Sequence, residues 1–209
     1  SGLVSLTALN GNITVGDATA DFPTTAGVVF NGNNVSLNVL GNATLALGNA
    51  TTAARATGNL TVVSVTGNIA NTGNISVGGL ASFQTGIGNI SLNQSGDSFG
   101  TLKFVGSSVS IIQTGDMKIL TGSSATGAAS LASTGSISIV NSGGTISFGN
   151  TVSLTATNNI TLPKLLTATG TITVNAAGTK DLSALSIGGD LSGKTPTNLG
   201  TGAYSAPQP

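Results

Sequence analysis

A three-residue phrase, apolar–polar–apolar, recurs along the chain and limits what it can fold into. It is densest between residues 102 and 162, where Gly, Asn, Ser or Asp separates one copy from the next. This pattern, with one polar residue between two apolar residues, is typical of a strand that has one buried and one solvent-exposed face. No apolar stripe has helical spacing, so no amphipathic helix is predicted. The copies in this stretch are Val109-Ser110-Ile111, Met117-Lys118-Ile119, Ile137-Ser138-Ile139, Ile146-Ser147-Phe148, Val152-Ser153-Leu154 and Ile160-Thr161-Leu162.

The strands predicted from these phrases are three to five residues long and are joined by variable corners rich in Gly and Asn. Hairpins would instead need longer strands and two-residue turns. We therefore predict an all-β chain that forms a right-handed parallel β-helix (solenoid) of about eight to nine coils, about 40 Å long, with three short strands per coil. The corners are expected to need positive φ, which Gly and Asn tolerate. The side chains predicted to point inward are Val35, Val109, Ile75, Ile146, Ile90 and Ile160.

The chain also matches itself over a longer distance. Residues 28–47 align with residues 102–121, and later strands align at slightly shorter shifts, because loops differ in length while strands do not. This is the behaviour of a repeat array. It predicts two diverged copies, about 28–99 and 102–165.

These copies belong to a single β-helix predicted over residues 1–192. A tail or linker rich in Pro, Gly and Thr follows over residues 193–209. Two loops, Gly48–Thr57 and Gly122–Ala128, interrupt the strand pattern at equivalent places in the two copies. We therefore expect both loops to protrude from the β-helix at the same corner. The Ala-rich part of the first loop could form at most one turn of α-helix.

Composition excludes several function classes. Only 6% of the residues are charged, against about a quarter in ordinary domains, but regularly placed Val, Ile and Leu argue against disorder. No apolar run approaches the length of about 18 residues that a membrane helix needs. The net charge of zero argues against a nucleic acid or an anionic membrane as partner. Since Ser1 is not an initiator Met, we interpret the chain as a piece of a longer protein.

We expect the chain not to be an enzyme and to hold no cofactor or metal. It has no His, Cys or Glu, and its six Asp residues do not fall at matching positions of neighbouring strands, as paired acid–base groups must. Turn formation explains isolated Asp residues. A glycan-cleaving β-helix enzyme is therefore only a weak alternative. The Asp residues are Asp17, Asp21, Asp97, Asp116, Asp181 and Asp190.

Nine Asn residues lie in Asn-x-Ser/Thr sequons and are candidate glycan acceptors. A corner Asn followed by an apolar–Ser/Thr–apolar strand creates a sequon automatically, so the structural explanation is the stronger one. The nine are Asn12, Asn34, Asn42, Asn49, Asn59, Asn74, Asn89, Asn93 and Asn159.

Thr-x-Thr segments near the C-terminal end suggest a second weak alternative, ice binding. They are Thr155-Ala156-Thr157 and the overlapping series from Thr167 to Thr173. Elsewhere a single outward Ser or Thr stands between two inward aliphatic residues, as on any solvated sheet face. An ordinary β surface is therefore favoured.

The repeat phrases resemble those of filamentous-haemagglutinin-like bacterial exoproteins and adhesins over about residues 4–175. The resemblance implies a parallel β-helix that is secreted, through two-partner secretion or a related route, and serves as a cell-surface stalk or fibre in adhesion. The family's N-terminal secretion domain carries an Asn-Pro-Asn type signature, and no Asn-Pro occurs here. The phrases are Gly58-Asn59-Leu60-Thr61-Val62, Gly78-Gly79-Leu80-Ala81-Ser82-Phe83, Gly88-Asn89-Ile90-Ser91-Leu92-Asn93, Gly96-Asp97-Ser98-Phe99-Gly100 and Ser108-Val109-Ser110-Ile111.

We therefore expect a non-enzymatic segment of a bacterial cell-surface or extracellular fibre. The expected partners are neighbouring coils of the same or another copy, and glycans or proteins of a host or matrix surface. The main alternative is a self-assembling filament subunit that stacks end to end, since an uncovered coil edge seeks a partner.

Overall fold

The computed structural model describes residues 3–16, 27–41, 44–140, 143–162, 166–181 and 204–205, with only the backbone for 166, 167, 204 and 205. Across these ranges the chain is all-β, and 23 strands form one sheet in which strands pair in parallel. The predicted parallel β-helix is confirmed, with about eight turns. The strands are β1 (Val4–Thr7), β2 (Ile13–Gly16), β3 (Val28–Gly32), β4 (Val35–Val39), β5 (Leu45–Leu47), β6 (Ala54–Ala56), β7 (Leu60–Ser64), β8 (Ile69–Asn71), β9 (Ile75–Thr85), β10 (Ile90–Leu92), β11 (Ser98–Gly106), β12 (Val109–Gln113), β13 (Met117–Leu120), β14 (Ser124–Ala125), β15 (Ala129–Ser133), β16 (Ile137–Val140), β17 (Ile146–Phe148), β18 (Val152–Ala156), β19 (Ile160–Thr161), β20 (Leu166–Ala168), β21 (Ile172–Ala176), β22 (Lys180–Asp181) and β23 (Tyr204–Ser205).

The pairings arrange the strands on three faces. Face A contains β1, β3, β6, the first halves of β9 and β11, then β13, β16, β19, β22 and β23. Face B contains β2, β4, β7, the second halves of β9 and β11, then β14, β17 and β20. Face C contains β5, β8, β10, β12, β15, β18 and β21. From β3 to β21, each coil runs from A through B to C, and the C–A corner leads into the next coil.

The apolar–polar–apolar phrase positions the core. In face C, Ile90 pairs in register with Ile69 on one side and with Val109 on the other, and all three are buried. The polar middle residue of each phrase points outward, so successive coils stack aliphatic side chains along the axis and exclude water. All six residues predicted to point inward are buried, with at most 2% of their surface exposed.

Aromatic rings fill the middle of the rod. Phe83 of face B contacts Phe99 of face A edge-on, with ring centroids 5.6 Å apart. Phe104 and Phe148 lie 6.2 Å apart. The register neighbours of Phe148 are the buried small residues Ala125 and Ala168, so large and small side chains together fill the interior.

Most corner glycines are explained by close packing, which corrects the expectation of positive φ. Positive φ is found at Asn10, Gly27, Gly48, Gly115, Gly122 and Gly143. Gly79, by contrast, has an ordinary φ, but a Cβ there would lie 2.4 Å from Asn59 Oδ1 and 2.9 Å from the Gly58 carbonyl oxygen. The adjacent coil approaches so closely that only glycine fits.

The predicted protrusion at Gly48–Thr57 is partly wrong. Ala54–Ala56 forms β6, with Ala54 and Ala56 buried and Arg55 exposed. Its backbone pairs with β3 and β9, and this pairing outweighs the preference of Ala for helix. The loop that leaves the strand pattern, called the excursion below, is therefore confined to residues 48–53.

The two diverged copies do not occupy equivalent places around the axis. Val35 lies on face B, whereas its match Val109 lies on face C. Ile75 lies on face A and its match Ile146 on face B. The shift thus equals three coils plus one strand.

The two interruptions consequently lie at different corners. Residues 48–53 connect β5 to β6 at a C–A corner, whereas residues 122–128 span the A–B and B–C corners on either side of β14. The prediction that both leave at the same corner is wrong.

Several predicted features lie outside the described residues. They are Asp17, Asp21, Asn42, Asp190 and, apart from residues 204–205, the tail 193–209. Within the described ranges, no helix occurs that has the length and apolar character to cross a membrane.

Candidate functional site

Side-chain amides form ladders along the corners of the rod. At the A–B corner, Asn34 Oδ1 accepts the backbone N–H of Asn59 at 2.9 Å, and Asn59 Oδ1 accepts that of Leu80 at 2.8 Å. Each carboxamide thereby satisfies a backbone donor of the next coil. The glycine before each recipient, Gly58 or Gly79, leaves room for the carboxamide, since a Cβ would collide with its oxygen. The recurrent Gly-Asn dipeptide is explained by this contact.

The other two corners repeat the arrangement. At the B–C corner, Asn68 Oδ1 accepts the N–H of Asn89 at 2.7 Å, and Asn89 Oδ1 accepts that of Ser108 at 3.0 Å. At the C–A corner, Asp116 and Asn159 accept the N–H groups of Ser136 and Thr179, both at 2.8 Å. These ladders hold the corners at which the strands change direction.

Most candidate glycan acceptors belong to these ladders. Asn12, Asn34, Asn59, Asn89 and Asn159 each accept a hydrogen bond from the next coil through Oδ1, and all five are exposed.

The remaining sequon residues in the described ranges have other environments. Asn49 accepts from Thr51 and Thr52 within its own loop. Asn93 bridges Ser91 and Ser110 on face C. Asn74 is exposed and lies against Gly96. The structure therefore gives most of these residues a structural role, and within the A–B ladder Asn34 Nδ2 also donates to Asn12 Oδ1 at 3.1 Å.

The carboxylates of Asp97 and Asp116 lie in different environments. Asp116 is exposed and belongs to the ladder above, while Asp97 is fully buried at the preceding C–A corner. In this part of the chain, no three His, Cys, Asp or Glu side chains are grouped as a metal ion would require.

Asp97 is not the simple turn residue that its sequence context suggests. Its Oδ1 accepts the N–H of Ile75 at 2.7 Å, and its Oδ2 accepts Asn71 Nδ2 at 2.6 Å. Burial raises the pKa of Asp97 to about 7, although the hydrogen bonds from Ile75, Asn71 and Gln94 act in the opposite direction.

Two further buried polar residues were missed by sequence reasoning. Asn71 connects β8 to Asp97, and Gln113 donates from Nε2 to the carbonyl oxygens of Phe99 and Asp116 at 2.9 and 2.8 Å. The available signal was a polar residue at an inward position of the phrase, as in Ile69-Ala70-Asn71.

An open trough of about 570 Å³ runs along face C. Its floor carries a ladder of hydroxyl groups in register, and none of the described residues that line it is charged. The ladder consists of Ser91, Ser110, Ser130, Ser153 and Thr173.

The Thr-x-Thr segments do not extend this ladder into a threonine array. Thr155 is exposed, but its register neighbours in the adjacent coils are Ala132 and Asn175. The regular surface is thus one of single serines and threonines.

Comparison with known proteins identifies a repeat. A family described as repeats of unknown function (DUF5649) matches residues 32–104, from the end of β3 into β11. The matched region lies wholly within the solenoid. No curated protein and no solved structure matches the chain.

Proposed function

We propose that the chain is a non-enzymatic structural segment of a bacterial cell-surface or extracellular fibre, acting as a stalk or in adhesion. The observation that carries the proposal is the stacking of coils from β1 to β22, with no group of three or more His, Cys, Asp or Glu side chains among the described residues. Such a rod provides length and resistance to unfolding, because each coil pairs its backbone with the coils on both sides.

Two sequence observations support this proposal. The repeat phrases resemble those of filamentous-haemagglutinin-like exoproteins, and residues 32–104 match a repeat family. The surface is rich in Ser, Thr and Asn and carries few Lys and Arg residues, so it offers few sites to proteases that cleave after basic residues. Adhesive contacts to surface glycans or proteins would be made by outward polar residues such as those of the face C trough.

Immunogold electron microscopy of native bacteria tests the proposal. An antibody against residues 48–53, of which Ala50 to Ala53 are exposed, labels the excursion without disturbing the core. We expect gold particles along filaments that project from intact cells. Labelling only inside permeabilised cells would overturn the proposal, and preimmune serum gives the background.

End-to-end assembly is the second candidate, and the first coil favours it. Val4, Leu6 and Val15 face the core there but are only partly buried. One coil further, the residues in register with Leu6 and Val15 are Phe30 and Leu37, and both are fully buried. Since neither β1 nor β2 carries a charge or Pro to blunt the edge, a coil from a preceding segment of a longer chain or from another copy would complete this core.

Sedimentation of the 209-residue chain over a range of concentrations tests this second candidate. We expect the mean mass to rise with concentration. A variant that lacks residues 193–209 shows whether the tail is needed to bridge copies. A monomer at every concentration in both samples, with the amides of β1 and β2 as protected from hydrogen exchange as those of β12, would contradict it.

A further inference from the structure

The corner between the fourth and fifth coils is built differently from its neighbours. At several other corners that lead into face A, the first N–H of a strand donates to the backbone carbonyl of the next coil, as from Ala54 to Asn74 at 2.9 Å and from Met117 to Ser136 at 2.7 Å. At Ile75 the acceptor is instead the side chain of Asp97, through Oδ1 at 2.7 Å. A carboxyl group therefore takes the place of a peptide carbonyl in the row of backbone hydrogen bonds between coils.

The backbone of Asp97 makes further contacts. Its carbonyl accepts the N–H of Thr114 at 2.7 Å, and its N–H donates to Gln94 at 3.1 Å. Its Oδ2 accepts Asn71 Nδ2, while Asn71 Oδ1 accepts the N–H of Asn93 at 3.0 Å. One residue consequently connects the C–A corners of three successive coils.

Among the described residues, no cation is paired with the carboxyl group of Asp97. Among the charged residues of the surrounding elements, Arg55 of β6 and Lys118 of β13 are exposed on face A, and Lys103 of β11 points outward from face B. Asp116, at the next C–A corner, is exposed and accepts the N–H of Ser136. The described parts of β8, β9, β10 and β12 carry no charged side chain. An ionised Asp97 therefore rests only on neutral donors in a buried site.

We propose that the Asp97–Asn71 corner is a pH-responsive junction, at which the middle of the rod is held most tightly in acid and loosens as the pH rises from acid towards neutrality. Burial disfavours the charged form more than the donors favour it. Raising the pKa from 3.8 in the unfolded chain to about 7 in the folded one means that the folded state keeps a proton which the unfolded state loses above about pH 4. The contribution of Asp97 to the free energy of unfolding is thus fully present below about pH 4. It decreases as the pH rises, until the carboxyl group of the folded protein has itself ionised above about pH 7.

Hydrogen exchange of the Ile75 amide, corrected for its intrinsic pH dependence, tests the proposal. Between about pH 5 and pH 8 we expect its protection in the wild-type chain to fall by about tenfold or more. The Met117 amide, whose acceptor is a backbone carbonyl, should show no comparable change. Asp97→Asn should abolish the fall at Ile75, whereas the control Asp116→Asn, which removes the exposed carboxylate of the next corner, should preserve it.

Protection at Ile75 that is independent of pH in the wild type, or that still falls in Asp97→Asn, would overturn the proposal. A carboxyl-carbon NMR titration of the wild-type protein provides a test that does not depend on the folding of any variant. A midpoint for Asp97 near neutral pH supports the junction. A midpoint at or below the ordinary value for Asp of about 3.9 rules it out.

Discussion

Lys180 lies directly beneath Ile160 in the stack of inward side chains on face A, in register with it and with no exposed surface. The same position is filled by Ile137 one coil earlier. Within the described part of the chain, Lys180 Nζ has no hydrogen-bond partner. A polar group buried without a partner costs about 1–3 kcal/mol.

We therefore expect Lys180→Met to raise the free energy of unfolding by about 1–3 kcal/mol, because it keeps the length of the side chain and removes the unpaired amine. Urea denaturation measures the change. Lys118→Met is the matched control: Lys118 is exposed on face A, so its replacement should change stability by no more than about 0.5 kcal/mol. A Lys180→Met protein less stable than wild type would show that the amine has a stabilising partner.

Replacing Ile146 by Asp should destabilise the rod by about 3–5 kcal/mol, because a charge would be buried without a partner and the packing of an aliphatic side chain lost. Ile146 is 1% exposed and pairs with Leu166. The adjacent Ser147 points outward, so Ser147→Asp should stay within about 0.5 kcal/mol of wild type. Equal thermal shifts for the two variants would mean that the inward and outward faces have been assigned the wrong way round.

Gly79→Ala should cost about 1–3 kcal/mol, since the new Cβ would meet the Asn59 carboxamide and the Gly58 backbone of the previous coil. Gly16→Ala is a suitable comparison, because no atom lies within 4 Å of a Cβ at Gly16. It should be neutral or stabilising by up to about 1 kcal/mol, through the unfolded state. Calorimetry distinguishes the two, and a tolerated Gly79→Ala would mean that the coils can separate at that corner.

Two substitutions in one sequon separate a structural from a modification role for Asn59. Asn59→Ala removes the acceptor of the Leu80 N–H and should cost about 1 kcal/mol. Thr61→Val destroys the same sequon but leaves the ladder and the β-branched side chain in place, so stability should change by less than about 0.5 kcal/mol. Denaturation of unmodified protein measures both, and equal effects would contradict the ladder role.

The sequence was sufficient to predict strand existence but not strand placement. Val109-Ser110-Ile111 and Ile146-Ser147-Phe148 specify inward and outward sides, because side chains alternate along any strand. They do not specify a face, because all three faces contain the same phrase. Two matched residues, Val35 and Val109, consequently lie on different faces.

The candidate site was harder to predict for a different reason. The environment of Asp97 depends on Asn71 and Ile75, more than 20 residues away in sequence, and no local pattern records that distance. The short strand at Ala54–Ala56 was missed because Ala and Arg favour helix in isolation. Pairing with the coils on both sides determines its conformation instead.

The offset between the two copies has a consequence for how such a chain can lengthen. Its unit of growth is a single strand with its corner, since three coils plus one strand is a tolerated shift. Any duplication that adds a number of strands not divisible by three turns everything beyond it by a third of a revolution. The core is unchanged by that rotation, because every strand obeys the same inward rule. Surface features beyond the insertion, by contrast, come to point in a new direction. An insertion of this kind thus re-aims a distal surface of the solenoid without altering a residue of it.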